Sequence, residues 1–163
     1  MSKLLTILIS MIVGAALAAF IGAKMLPGFM IKEVQSPLGF EASIEKVIEN
    51  AKSMGWKVPK TWKINFQKNL LKVVKVDVGP NQVIGMCDPD AAAKILVHDE
   101  LKQLSVMMPC SIAFYEKSDG KTYISIMNMT MLGTLFGEKI SGITSELAPQ
   151  MEKMVTLEPI TSN

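Results

Sequence analysis

The sequence predicts a domain of mixed strands and helices behind one long apolar helix, and three observations predict it. Residues 4–23 carry no charged side chain. Between Val83 and Tyr115 a strand, a helix and a second strand are legible in turn. Two further stretches, 40–54 and 138–155, place apolar residues at helical spacing with charges on the remaining faces. At 163 residues the chain has room for one domain with a real core and one appended element. Its hydrophobic content of 49% and mean hydropathy of +0.31 are high, and the excess lies at the start.

Leu4 to Ala23, LLTILISMIVGAALAAFIGA, would span about 30 Å as a helix, the thickness of a bilayer's hydrocarbon core. Lys3 precedes it and Lys24 closes it. A secretory leader has a shorter apolar run and a small-x-small cleavage site. Ala16-Leu17-Ala18 offers such a site, but the run continues through Phe20 to Ala23, so an uncleaved transmembrane anchor over residues 1–26 is expected. Gly14, Gly22 and neighbouring alanines make small faces, which are common in any membrane helix and identify no partner helix. Lys3 and the amino terminus favour an inside N-terminus, while Lys24 and Lys32 pull the other way. A short tail before a single anchor leaves the domain outside. The expectation is a single-pass protein of the cytoplasmic (inner) membrane, residues 4–23 in the lipid bilayer, its domain facing the periplasm or cell exterior. That compartment permits disulfides.

Met25 to Met30, MLPGFM, reads as a Pro-Gly hinge. Ile31 to Ser36 alternates as a first strand, and Ser36-Pro37-Leu38-Gly39 turns the chain. Phe40, Ile44, Val47, Ile48, Ala51 and Met54 form one helical stripe, with Gly55 where a left-handed cap belongs. Trp56 to Asn69 reads as a second strand region broken by Pro59, and Asn69 to Val78 as a short helical or extended segment. Val83 to Met86 is a short apolar strand. Asp88 then caps and Pro89 opens a helix to about His98, with Ala92, Ile95 and Leu96 inward. Ser111 begins the next strand. Ile112–Lys117 and Thr122–Met127 form a hairpin across Ser118-Asp119-Gly120, where Asp-Gly suits a tight turn. Asn128 to Gly137 leads to a last helix from Glu138 to Val155, bent near Pro149, with Ile140, Ile143, Leu147, Met151 and Met154 inward. Thr161-Ser162-Asn163 should fray.

A Cys-x-Pro turn at Cys87-Asp88-Pro89 opens an Ala-rich helix. Met108-Pro109-Cys110 and a strand with a Lys117-Ser118-Asp119-Gly120-Lys121 hairpin follow. This series resembles the bacterial and archaeal family catalogued as domain of unknown function 302, over residues 30–157. The resemblance implies an α+β domain similar to the TBP-like fold, a curved antiparallel sheet with helices on one face. It implies no established activity, and a fold shared with a DNA-bending protein is no argument for nucleic-acid binding.

Chemistry has few candidates. Cys87 and Cys110 sit at strand ends on either side of one helix. Paired, they close a loop worth about 3 kcal/mol of stability; unpaired, they pack as small apolar groups. They are also soft metal ligands, but Cys-x-x-Cys is absent and a thioredoxin-like site has little support. His98, the only histidine, is the candidate nitrogen ligand for haem, copper or zinc. Met107, Met108 and Met129 are the softer cofactor-binding donors beside it. The plainer readings are a solvated helix end and methionine core filler. Lys57, Lys60, Lys63 and Lys68 among Trp56, Trp62 and Phe66 could suggest stacking on nucleic acid. A net charge of only +2, with acids throughout, argues against it. Lacking Gly-x-Ser-x-Gly, a metalloprotease motif or a Gly-rich phosphate loop, the chain gives an enzyme the least support.

Together these readings make a membrane-anchored extracytoplasmic binding or accessory domain, a subunit beside a membrane electron-transfer or transport complex. Met86, Met107, Met108, Met127, Met129 and Met131 wall a cleft for a small apolar ligand. The alternative is a haem- or metal-binding redox protein using His98, the methionines and the Cys87/Cys110 pair.

Overall fold

The computed structural model describes residues 3–159. The first helix, α1 (Lys3–Met30), runs without interruption into β1 (Ile31–Gln35). No hinge separates them: the backbone stays helical through Pro27 and Gly28. The base of α1 is tied into the domain by Asn128, whose backbone N–H donates to the Met30 carbonyl and whose side-chain amide donates to the Phe29 carbonyl, both at 2.8 Å.

The expected anchor is corrected here. Among the described residues no helix is long and apolar enough to cross a membrane. A charge-free window signals a helix, whereas spanning requires length and apolarity sustained together. The single-pass placement of residues 4–23 in the inner membrane, with the domain facing the periplasm, falls with the anchor. So does the support it lent to an accessory role beside a membrane complex. The fraying expected at Thr161 to Asn163 lies outside the described residues.

The domain continues through α2 (Phe40–Ser53), β2 (Lys63–Asn65), α3 (Phe66–Val74), β3 (Asn81–Met86) and α4 (Pro89–Leu96). A 3-10 stretch, Asp99–Met107, leads to β4 (Cys110–Glu116), β5 (Thr122–Met127), α5 (Met129–Phe136) and α6 (Glu138–Val155). The fold is α+β, with one five-stranded antiparallel open sheet in the order β1-β5-β4-β3-β2.

Alternation along the strands decides the core. Ile84, Met86, Ile112, Phe114, Ile124 and Ile126 are buried on one face, packed with Ile44, Val47 and Ala51 of α2 and Leu147, Met151 and Met154 of α6. Glu33, Tyr115, Tyr123 and Ser125 belong to the other face by register. Gly55 adopts φ +87° after α2, and Gly120 φ +71° in the hairpin, as the glycine positions require. The Asp88 carboxylate accepts from the N–H of Asp90 (2.9 Å) and Ala91 (3.0 Å), so the expected cap on α4 is present. It is Ala91, not Ala92, that is buried with Ile95 on the inner side of α4.

Two stretches depart from the sequence reading. The strand expected through Asn69 stops at Asn65, whose side chain accepts from the Lys68 N–H at 2.8 Å and starts α3. Asn128 to Gly137, read as a connection, contains α5, capped by the Asn128 side chain on the Met131 N–H. In both places a capping asparagine was the local signal, and after Asn128 only Thr130 and Thr134 break the apolar run, too few to show the helical period.

Candidate functional site

Antiparallel pairing of β4 and β5 brings two sulfur-rich sequence motifs to the same end of the sheet. Ile112 pairs with Ile126. The residues just before Ile112 therefore lie beside those just after Ile126, and Met107-Met108-Pro109-Cys110 meets Met127-Asn128-Met129. Met107, Met108, Cys110, Met127 and Met129 all line one half-open cavity of about 70 Å³, with Met127 and Phe136 at its exposed rim. Its far wall comes from Ile95 of α4 and Leu104 of the 3-10 stretch. Leu132 and Phe136 of α5 close one side, and Ile140, Thr144 and Leu147 of α6 the other. The Thr144 hydroxyl donates to the Ile140 carbonyl at 2.9 Å, which leaves no free donor aimed inward from that side chain.

Two glycines let this region close. A Cβ on Gly133 would lie 2.2 Å from Thr144 Oγ1 and 2.8 Å from the Ser141 Cα, so its absence permits α5 to lie against α6. A Cβ on Gly85 would lie 2.9 Å from Pro109 Cγ and 3.2 Å from Trp62 Cβ, so Pro109 and Trp62 rest directly on β3.

Met86 is wholly buried in the main core and Met131 does not line the cavity. Cys87 and Cys110 are free thiols, not a disulfide. Cys110 faces Met86 across the ladder, and Cys87, one residue on, instead bridges to Lys57. Consecutive strand residues point to opposite faces, which works against a bond between the two sulfurs. His98 is exposed at the start of the 3-10 stretch, in a shallow depression with Lys94, Leu101 and Lys139, and is not on the cavity wall. The structure therefore groups Met107, Met108 and Met129 but leaves His98 apart from them. Residues and cavity do not fit a haem: the volume is far too small, and the one imidazole lies outside it. Among the described residues no group of three or more His, Cys, Asp and Glu side chains is placed to hold a metal ion. Ile95, Leu104, Leu132 and Phe136 were missed as site residues, because only the packing of separate helices brings them to this wall.

Burial pushes the Cys110 thiol up to about 12, with Cys87 and then Asp88 adding to it. Burial, and then Asp88, also raises Cys87. Alkylation of the native protein should accordingly reach Cys87 first, because thiolate is the reactive form. Between pH 9 and about 12 the unfolded chain sheds the Cys110 proton while the folded chain keeps it, so stability falls as pH rises through that window. Mass mapping after timed iodoacetamide treatment checks the order, and equal rates at both cysteines would contradict this burial.

On the opposite face of the sheet a surface network is fully paired. Glu33 accepts from Lys117 at 2.7 Å and from the Tyr115 hydroxyl, and these bonds hold its carboxyl below the usual range, Lys117 first. Tyr115 and Tyr123 stack with ring centroids 6.2 Å apart, and Lys117 lies 4.0 Å over the Tyr123 ring. Such exposed pairs contribute little individually.

Residues 32–157 match the family described as "Domain of unknown function DUF302". The chain belongs to that family. A crystal structure of an uncharacterized conserved DUF302 protein from Bacillus stearothermophilus is similar, with a TM-score of 0.68 and 22% identity over 77% of this chain and 95% of the other. At that identity the likeness shows the DUF302 fold alone. No curated protein matches the chain. The family match takes in β1 from its second residue, every element from α2 to α6 and with them the whole cavity wall, which starts at Ile95 and ends at Leu147.

Proposed function

We propose that this DUF302 domain is a binding module that takes a small apolar ligand, or the apolar end of a larger one, in the methionine-lined cavity. The carrying observation is the wall itself: of its lining side chains, Thr144 and Cys110 alone bear a polar hydrogen, and the Thr144 hydroxyl is already bonded. Polar recognition of a ligand has only the Cys110 thiol to work with there, whereas burial of apolar surface has the whole wall. The volume limits the ligand. A dry cavity of about 150 Å³ accepts benzene, and this one is about half that as folded. Methionine has three rotatable side-chain bonds, so four of them at the wall allow the cavity to enlarge around a guest. A TBP-like curvature of the sheet, with helices on its inner face, belongs to the same reading.

Benzene serves as the test probe. Saturating benzene should raise the unfolding temperature, because a ligand that binds only the folded state stabilises it. It should also move the ¹³C-methyl resonances of Met107, Met108, Met127 and Met129 while leaving Met11 in place. Leu132→Phe, which adds bulk from a half-buried position on the wall, should abolish both responses. Unmoved methionine methyls and an unchanged unfolding temperature at the solubility limit of benzene would reject the reading.

A further inference from the structure

The same wall has a second property that apolarity does not describe. Five of its side chains carry sulfur: Met107 and Met108 from the end of the 3-10 stretch, Cys110 from the start of β4, Met127 from the end of β5, and Met129 from the start of α5. They come from separate segments and line one half-open cavity of about 70 Å³, with Met127 at its exposed rim. Thioether and thiolate donors select soft metal ions, Cu(I) above all, and a donor set without imidazole or carboxylate discriminates against Zn(II), Mg(II) and Ca(II).

We propose that this cavity is a binding site for a soft monovalent cation of the Cu(I) class, with Cys110 as the charged ligand and the four methionines as neutral ones. The proposal goes beyond apolar-ligand binding and is a different use of the same cavity. Charge is what makes it physically acceptable. A bare cation in an apolar cavity suffers a large desolvation penalty. When Cys110 binds it as thiolate, the thiol proton leaves to solvent, one S–metal bond replaces one S–H bond, and the loaded cavity is neutral. No electron is transferred. His98 and Cys87, both off this wall, play no part.

Ag(I) is the probe, because it is a soft monovalent ion that does not change oxidation state in air. Titration of the full chain in competition with a chromophoric chelator should give one tight equivalent, with the four cavity methionine methyls shifting together. The combined Met107→Leu, Met108→Leu, Met127→Leu and Met129→Leu variant nearly conserves volume and apolarity. It should bind Ag(I) more weakly by more than the roughly 10–100-fold that losing an outer-shell partner costs. Cys110→Ser should weaken Ag(I) binding similarly, and Cys87→Ser should leave it unchanged. Binding lost in Cys87→Ser but retained in the leucine variant overturns the proposal, as does an absence of tight Ag(I) binding in the wild type. Benzene binding without Ag(I) binding would sink the cation site alone, and failure of both would remove the cavity as a site. Should the leucine variant not fold, methyl shifts confined to Met107, Met108, Met127 and Met129 in the wild type decide the matter, and shifts elsewhere instead reject it.

Discussion

Trp56→Ala is expected to lower the free energy of unfolding by about 3–5 kcal/mol, the range for removing a buried large aromatic side chain. Trp56 is 2% exposed, in the cluster that joins the sheet to α2 and α6. Its indole N–H donates to the Gln150 Oε1 of α6 at 2.8 Å. Truncation leaves a cavity and also strips Gln150 of this donor, and the two losses add. Urea denaturation would read the change as a lower midpoint at unchanged slope. Trp62→Ala is the control, since Trp62 is 38% exposed and should cost much less. A loss below about 1 kcal/mol, typical of substitutions outside the core, would contradict Trp56 as a core anchor. The result also bears on nucleic-acid stacking: Trp56, set among lysines in sequence, presents no free ring face to a base.

Gly133→Ala is expected to destabilise the protein although it improves the helix. In an isolated helix the change would favour folding by about 0.8–1.0 kcal/mol. Here the new methyl group would meet Thr144 Oγ1 at 2.2 Å and the Ser141 Cα at 2.8 Å. The Thr144 hydroxyl is bonded to the Ile140 carbonyl, and the Ser141 Cα is backbone, so neither neighbour yields cheaply. Overpacking of this kind costs about 1–3 kcal/mol, which outweighs the propensity gain and leaves a net loss of up to about 2 kcal/mol. The displacement falls between α5 and α6, so benzene stabilisation should weaken in the same variant. A more stable Gly133→Ala protein, measured by the same denaturation, would mean that α5 does not lie this close to α6.

The edges of the helices show how far the residues alone carry. Glu138 to Val155 is helical over the predicted span, and Thr122 to Met127 is a strand over its predicted one. In both, a single period repeats often enough to outvote any one residue. Asp88-Pro89 determined a helix start, and Asp119-Gly120 a turn, because each pair has one backbone use that costs least. The run after Asn128 has less contrast: its only polar side chains, Thr130 and Thr134, are both exposed but no charge repeats with them, and α5 went unread. At the chain's start a charge-free run was enough to predict α1 as a helix. It was not enough to establish a membrane span or the hinge at Pro27-Gly28.

The sequence by itself determined most of the element types, the Asp88 cap, the tight turn and the fact that sulfur is concentrated in Met107-Met108-Pro109-Cys110 and Met127-Asn128-Met129. Only the tertiary structure decided that these motifs share one cavity while His98 stands outside it, and that Cys87 and Cys110 stay unpaired. The reason is the range of the forces involved. Caps and periods act within a few residues. Proximity between residues about twenty positions apart depends on the register of β4 against β5 and on the close approach of α5 to α6, which a glycine permits and no local preference encodes.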